Sequence, residues 1–513
     1  MTVYRFTAGI ILLISIWIMA STDDPLYTDA FYYYNAAERL AHGEGLTDPY
    51  LWNFINAPDE LPTASHRYWM PLASLVAALP MIIFGSSYTV AQIAYIPFWV
   101  GLAWLTIWLM QQLSDKRRHH WIAGLCVVFG GFYFPFWITT DTFLIYGVVG
   151  AGALILIGRG RESLDWRLFA AAGVCSGLAH LARADGLLFV IVGLMVIIWR
   201  IQIQKSLRFG AALIGGYLLI MLPWFVRNLN VIDAPLPSGG VGTIFLRGYN
   251  DLFSYDPSAW TPAYFLDWGL EQILESRLEG GLVAFQTWLA VEGFIILAPL
   301  ALWMLIQKRR DGFWMGVIWY AIGLHLAMGL VFTFPGSRGG LFHSSTALFP
   351  FWIALGILGL DALIEKLGKW RRWNIRQAQT VFGLAVILLP LFLSLSAWGR
   401  QQQATSPNYS EYQALLPEDA RIMANDPAEW YYYTDWIGVT VPDDDLDTVK
   451  VIAERYCLTH LILDENVTES LQAVLSGEQA VPPYLTQIAW WGQDTETWQD
   501  DVQIYTFDIE CNP

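Results

Sequence analysis

Charge is scarce in this chain: Asp, Glu, Lys and Arg together make up 14% of 513 residues. That is too little for the solvated surface of an ordinary soluble globule, and no Lys/Arg stripe is present that would bind nucleic acid. Cysteine is scarcer still. Its four residues are too few for a disulfide framework, and Cys126 and Cys175 fall inside apolar runs. Cys457 and Cys511 remain in the C-terminal stretch, where pairing would require an oxidising compartment; the sequence leaves this open. The chain also lacks a P-loop, a G-x-G-x-x-G at a strand-helix junction and an H-E-x-x-H helix, so no soluble nucleotide site or zinc-protease helix is signalled. No internal repeat is visible, which argues against a repeat-built transporter.

Apolar residues are abundant at 55%, with 26 Trp, 24 Tyr and 28 Phe, the composition of a polytopic membrane protein. The net charge of -16 is unevenly spread. Residues 401–513 hold 21 Asp/Glu against three Lys/Arg, so this tail carries -18 and residues 1–400 about +2. Apolar runs of spanning length lie near 6–21, 89–112, 119–137, 142–158, 167–182, 186–200, 208–226, 282–306, 314–333, 342–360 and 379–397. No A-x-A cleavage site precedes Asp23, so the first run is expected to be a retained span.

With the N-terminus cytoplasmic, five basic clusters fall inside: Lys116 to Arg118, Arg159 to Arg167, Arg200 to Arg208, Lys308 to Arg310 and Lys366 to Arg376. Eleven spans satisfy this orientation and leave the acidic tail extracytoplasmic. Counting Pro71 to Phe84 as a further span would invert every later cluster, so it is expected to be a juxtamembrane or re-entrant helix. The external regions are then 22–88, the turn around Asp141, 227–281 and the loop 334–345. The tail alternates β-rich runs at 421–424, 438–441, 459–463 and 502–507 with helical patterns at 446–456 and 467–475, a small α/β domain. The expected architecture is mainly α: a membrane domain, 1–400, followed by an extracytoplasmic α/β domain, 401–513.

Ionisable residues at the external face are the candidates for chemistry. Asp29 opens a helix that runs to about His42 and stops at Gly43, with Tyr32 and Tyr33 on the face below it. Asp29 or Thr28 caps this helix, or Asp29 accepts a proton; the two roles are compatible. Asp141 ends a span on the same side, either as a solvated terminus or as a ligand for a metal or acceptor. Arg183 and Asp185 share a tight external turn, as an interfacial ion pair or a phosphate contact. Arg227 leaves a span where snorkelling competes with function. Arg338 and His343 sit in a glycine-rich loop, and His66 lies in the first external loop. Glu292 and His325 fall inside spans, where each requires a partner.

In this order the residues resemble the GT-C superfamily of polytopic glycosyltransferases, which includes protein O-mannosyltransferases, aminoarabinose transferases and oligosaccharyltransferase catalytic subunits. The resemblance covers roughly residues 1–400. It rests on Asp29-Ala30-Phe31-Tyr32-Tyr33 after the first span, on Thr140-Asp141 in the next small external loop, on Gly177 to Gly186 as a G-L-A-x-L-x-R-x-D-G run, and on Pro223 to Asn228 as P-W-x-x-R-N. No W-W-D-Y-G motif appears, and Trp490-Trp491-Gly492-Gln493 is a poor substitute, so single-sugar transfer is expected over en bloc oligosaccharide transfer. The resemblance implies a plasma-membrane glycosyltransferase that takes a sugar from a polyprenyl-phosphate donor to a glycan, lipid or protein hydroxyl, with inversion. Asp29 would be the base. Tyr32, Tyr33, His66, Asp141, Arg183, Asp185, Arg227, Arg338 and His343 would contact substrate, and Asp141 would help hold any divalent metal ion. A flippase for lipid-linked sugars and an oligosaccharyltransferase-like activity are the alternatives.

Overall fold

The computed structural model describes every residue except 56, 200, 238, 403–408, 465–468, 492–501, 512 and 513. The chain is mainly helical and forms two compact units. One comprises residues 1–25, 69–235 and 274–404; the other comprises 26–68, 236–273 and 405–513.

Among the described residues, the first unit holds six helices long and apolar enough to cross a membrane: Thr2–Met19, Tyr88–Leu113, Phe143–Ser163, Ile203–Ile232, Gly312–Val331 and Ile375–Gln401. Two bent pairs raise the number to eight if each is one span, which makes this a multi-pass membrane architecture. The count differs from eleven because an apolar run does not reveal where its helix breaks. The run 119–137 forms Arg117–Phe129 and ends where Gly130 and Gly131 adopt φ of 71° and 63°. A 13-residue helix is about 20 Å long, short of a hydrocarbon core of about 30 Å. Leu72–Phe84 is equally short, as expected for a segment that does not span. The run 282–306 is broken at the π-helical turn Thr287–Glu292 and bends by 97°. There the fully buried Glu292 receives Nε2 of His325 at 3.0 Å and Nε1 of Trp352 at 2.5 Å, so Glu292 and His325 partner each other.

Glycines let two helices of this unit approach closely. A Cβ on Gly173 of Trp166–Ala182 would lie 2.0 Å from the carbonyl oxygen of Leu213 in Ile203–Ile232, and one on Gly216 would lie 2.1 Å from that of Ala170.

The second unit is an α/β sheet. Its strands are β1 (Tyr50–Leu51), β2 (Arg421–Met423), β3 (Ile437–Val439), β4 (His460–Leu463), β5 (Leu485–Trp491) and β6 (Val502–Phe507), in the spatial order β1-β3-β2-β4-β6-β5. The first four are parallel, and β6 runs antiparallel to both β4 and β5. Pro427–Thr434 and Leu446–Tyr456 form the crossovers that parallel pairing requires. Both faces are covered. Met423, Leu461 and Tyr505 enter one core, and their neighbours Ile422, Ile462 and Ile504 enter the other. Cys457, just after Leu446–Tyr456, forms a disulfide with Cys511.

Candidate functional site

In the membrane unit, four of the expected residues converge on one short segment, Leu341–Ser344. Asp141 is buried in the turn before Phe143–Ser163, and its Oδ1 accepts the Thr142 amide at 2.5 Å. Its Oδ2 lies 3.0 Å from Nε2 of His343. The other ring nitrogen, Nδ1, is 2.7 Å from the Gly339 carbonyl, and Phe143 stacks on the imidazole at 3.8 Å. Each ring nitrogen thus faces an oxygen, and the Gly339 carbonyl, which can only accept, fixes a proton on Nδ1. With Nδ1–H kept on Gly339, Nε2 and the Asp141 carboxylate are also a donor pair suited to a divalent cation, because a backbone carbonyl on the far nitrogen is the usual support of a metal-binding histidine.

Ser344 joins this pair to the next one. Its hydroxyl accepts Nε of Arg183 at 3.1 Å and donates to Asp185, whose other carboxylate oxygen is 3.4 Å from the same guanidinium nitrogen. Gly186 makes the turn possible, since a Cβ there would meet the Ala179 carbonyl carbon at 2.3 Å. Asp141, His343, Arg183 and Asp185 therefore form one polar cluster hung on two consecutive residues, His343 and Ser344.

Arg227 stacks over Trp224 at 4.7 Å and donates to Asn228 at 3.0 Å, both on its own helix. Arg338 is exposed in the kinked turn Gly336–Gly340, where Gly339 has φ of 127°.

In the sheet unit, the helix Thr28–Ala41 has Tyr27 as its N-cap, without a side-chain cap. Asp29 is therefore its second residue and not its cap. A carboxylate there is stabilised by the amide-rich helix end. Tyr32 is buried: its hydroxyl donates to Asp48 at 2.8 Å and accepts the His66 amide at 2.7 Å. Burial, reinforced by Asp48, pushes the Tyr32 phenol well above its ordinary pKa. His66 is buried at φ of 60°, with its ring against Tyr32, and Tyr33 is 1% exposed beside the same ring.

Sequence reasoning missed Ser344, Asp48 and Asp426. Ser344 follows His343 in a His-Ser-Ser-Thr run that offered a weak signal. Asp426 offered none, because Thr28, whose hydroxyl it accepts, lies 398 residues away.

No family model matches the sequence, and comparison with curated proteins finds no match. Solved structures do match. The Archaeoglobus fulgidus oligosaccharyltransferase in complex with zinc and sulfate aligns with a TM-score of 0.59 at 16% identity, over 92% of this chain and 69% of that one. The same archaeon's oligosaccharyltransferase AglB, with an inhibitory peptide and a dolichol-phosphate, aligns at 0.56 and 14%, over 96% and 74%. ArnT from Cupriavidus metallidurans bound to undecaprenyl phosphate aligns at 0.55 and 12%, over 99% of both chains. At such identity the likeness is one of fold, and this chain has the fold of the GT-C polytopic membrane glycosyltransferases.

Proposed function

We propose that the chain is a membrane glycosyltransferase that moves a sugar from a polyprenyl-phosphate donor to an acceptor hydroxyl on the extracytoplasmic side. The observation that carries this reading is the cluster of Arg183, Asp185, Asp141 and His343 around Ser344, in a chain of GT-C fold. ArnT was solved with undecaprenyl phosphate and AglB with a dolichol-phosphate, which supports a lipid phosphate as the ligand class. The Cys457–Cys511 disulfide supports an extracytoplasmic tail, because such bonds persist in oxidising compartments.

Asp29 takes the proton of the acceptor hydroxyl as its oxygen bonds to the anomeric carbon. The bond from that carbon to the phosphate oxygen breaks, and its electron pair leaves on the polyprenyl phosphate. Attack from the face opposite the phosphate inverts the anomeric centre. Arg183, with its planar fork of donors, neutralises the charge building on the leaving group, and Asp185 and Ser344 hold the guanidinium in place. His343 and Arg338 contribute further contacts to the phosphate, with Arg227 as an outer one. A divalent ion on Asp141 and His343 would add Lewis-acid neutralisation of the same phosphate. Zinc is present in one of the matching oligosaccharyltransferase structures. Tyr32, Tyr33 and His66 shape the first external segment around Asp29.

The test uses purified protein in lipid vesicles with radiolabelled polyprenyl-phosphate sugars. Label transferred to a glycan, lipid or peptide acceptor supports the proposal and names the acceptor class. Label crossing the bilayer still attached to its lipid would replace it with a flippase.

A further inference from the structure

The helix that carries Asp29 begins without a side-chain cap of its own. Its first residue, Thr28, instead donates its hydroxyl to Oδ2 of Asp426, 398 residues away in sequence. The other oxygen of that carboxylate, Oδ1, accepts the Glu429 amide at 3.2 Å and caps Pro427–Thr434. One carboxylate thus ties the first turns of two helices together, at the ends where both present unsatisfied amides and a positive dipole.

The two helices then pack along each other. Asn35 donates to the Ala428 carbonyl at 2.8 Å, Phe31 and Tyr34 each meet the ring of Tyr432 at 5.2 Å, and Arg39 reaches the Tyr431 hydroxyl at 3.1 Å. These contacts fix the body of the helix. The latch at Thr28 fixes its first turn, the one that bears Asp29.

We propose that Asp426 is a positioning residue for Asp29, acting through the Thr28 hydroxyl. The proposal rests on the reading of Asp29 as the base. A loosened first turn would move that carboxylate without altering donor binding, so the effect belongs to kcat and not to KM.

The experiment compares full-length wild type with Thr28→Val, Thr28→Ser and Asp426→Asn by hydrogen-deuterium exchange in detergent. Thr28→Val keeps the shape of the side chain and leaves the Asp426 cap on its own helix intact, so it tests the latch even if Asp426→Asn fails to fold. The amides of Phe31 to Tyr34 should exchange at least about tenfold faster in Thr28→Val and Asp426→Asn, as expected for loss of one hydrogen bond to a charged group. Those of β4 should be unchanged, and Thr28→Ser should restore wild-type exchange. In the vesicle assay Thr28→Val should lower kcat at unchanged KM for the polyprenyl-phosphate sugar. Unchanged exchange in Thr28→Val, a Thr28→Ser variant as loose as Thr28→Val, or an unaltered kcat would each overturn the proposal. Failure of the base assignment reads out separately, as turnover retained in Asp29→Asn.

Discussion

Arg183 is where a single side chain can be asked most sharply what it does. Its Nε is held by Ser344 and Asp185, which orients the planar fork, and a guanidinium fork matches the oxygens of a phosphate. Arg183→Ala is expected to lower kcat/KM for the lipid-phosphate donor by about a hundredfold, the usual scale for removing one donor to developing charge. Lysine should recover only part of this, because it lacks the fork, and steady-state kinetics on the two variants checks both. The candidates read from sequence were residues at the ends of apolar runs, where a charge stands out against its neighbours. Asp141, Arg183, Asp185 and His343 were legible for that reason. Ser344 and Asp426 were not: a serine among serines and one acid among 21 in the tail carry no contrast, and their roles arise from partners distant in sequence.

Elements were legible where their pattern is short-range. The strands at 421–423, 460–463 and 502–507 and the helix Leu446–Tyr456 follow from alternation and helical spacing, whereas breaks inside apolar runs do not. The glycine-mediated approach of Trp166–Ala182 and Ile203–Ile232 is a case in point. Gly173→Ala must push a methyl group into the Leu213 carbonyl, a backbone atom that cannot swing aside. The expected cost is about 1–3 kcal/mol or more, read as a lower melting temperature in detergent.

The helix Pro427–Thr434 carries a pH signature. Burial, and then the neighbouring Asp426, pushes the Glu429 carboxyl up to about 7. Between its ordinary value near 4.5 and 7 the folded state holds a proton that the unfolded chain has lost, so this group makes stability fall as pH rises through that window and level off above it. Glu429→Gln should flatten that part of a melting-temperature profile between pH 5 and 8; an unchanged slope would contradict the assignment.

For the molecule as a whole, the three stretches gathered in the sheet unit, 26–68, 236–273 and 405–513, all lie in regions that the basic clusters assign to the external side. Cys457 and Cys511 give that topology a handle. Their link closes a loop of 54 residues, worth about 4 kcal/mol in a chain-entropy account, so reduction should destabilise the sheet unit measurably. After reduction, a membrane-impermeant thiol reagent should label both cysteines in intact cells. Labelling only in inverted vesicles would reverse the topology.

The central claim is that Asp29 performs the proton abstraction in a sugar transfer from a lipid phosphate. The measurement that tests it most directly is single-turnover transfer of radiolabelled sugar from a polyprenyl-phosphate donor, comparing wild type with Asp29→Asn of equal melting temperature. Loss of about a thousandfold in rate, within the range of a general base, is the predicted result. An Asp29→Asn protein that transfers at near wild-type rate would contradict it.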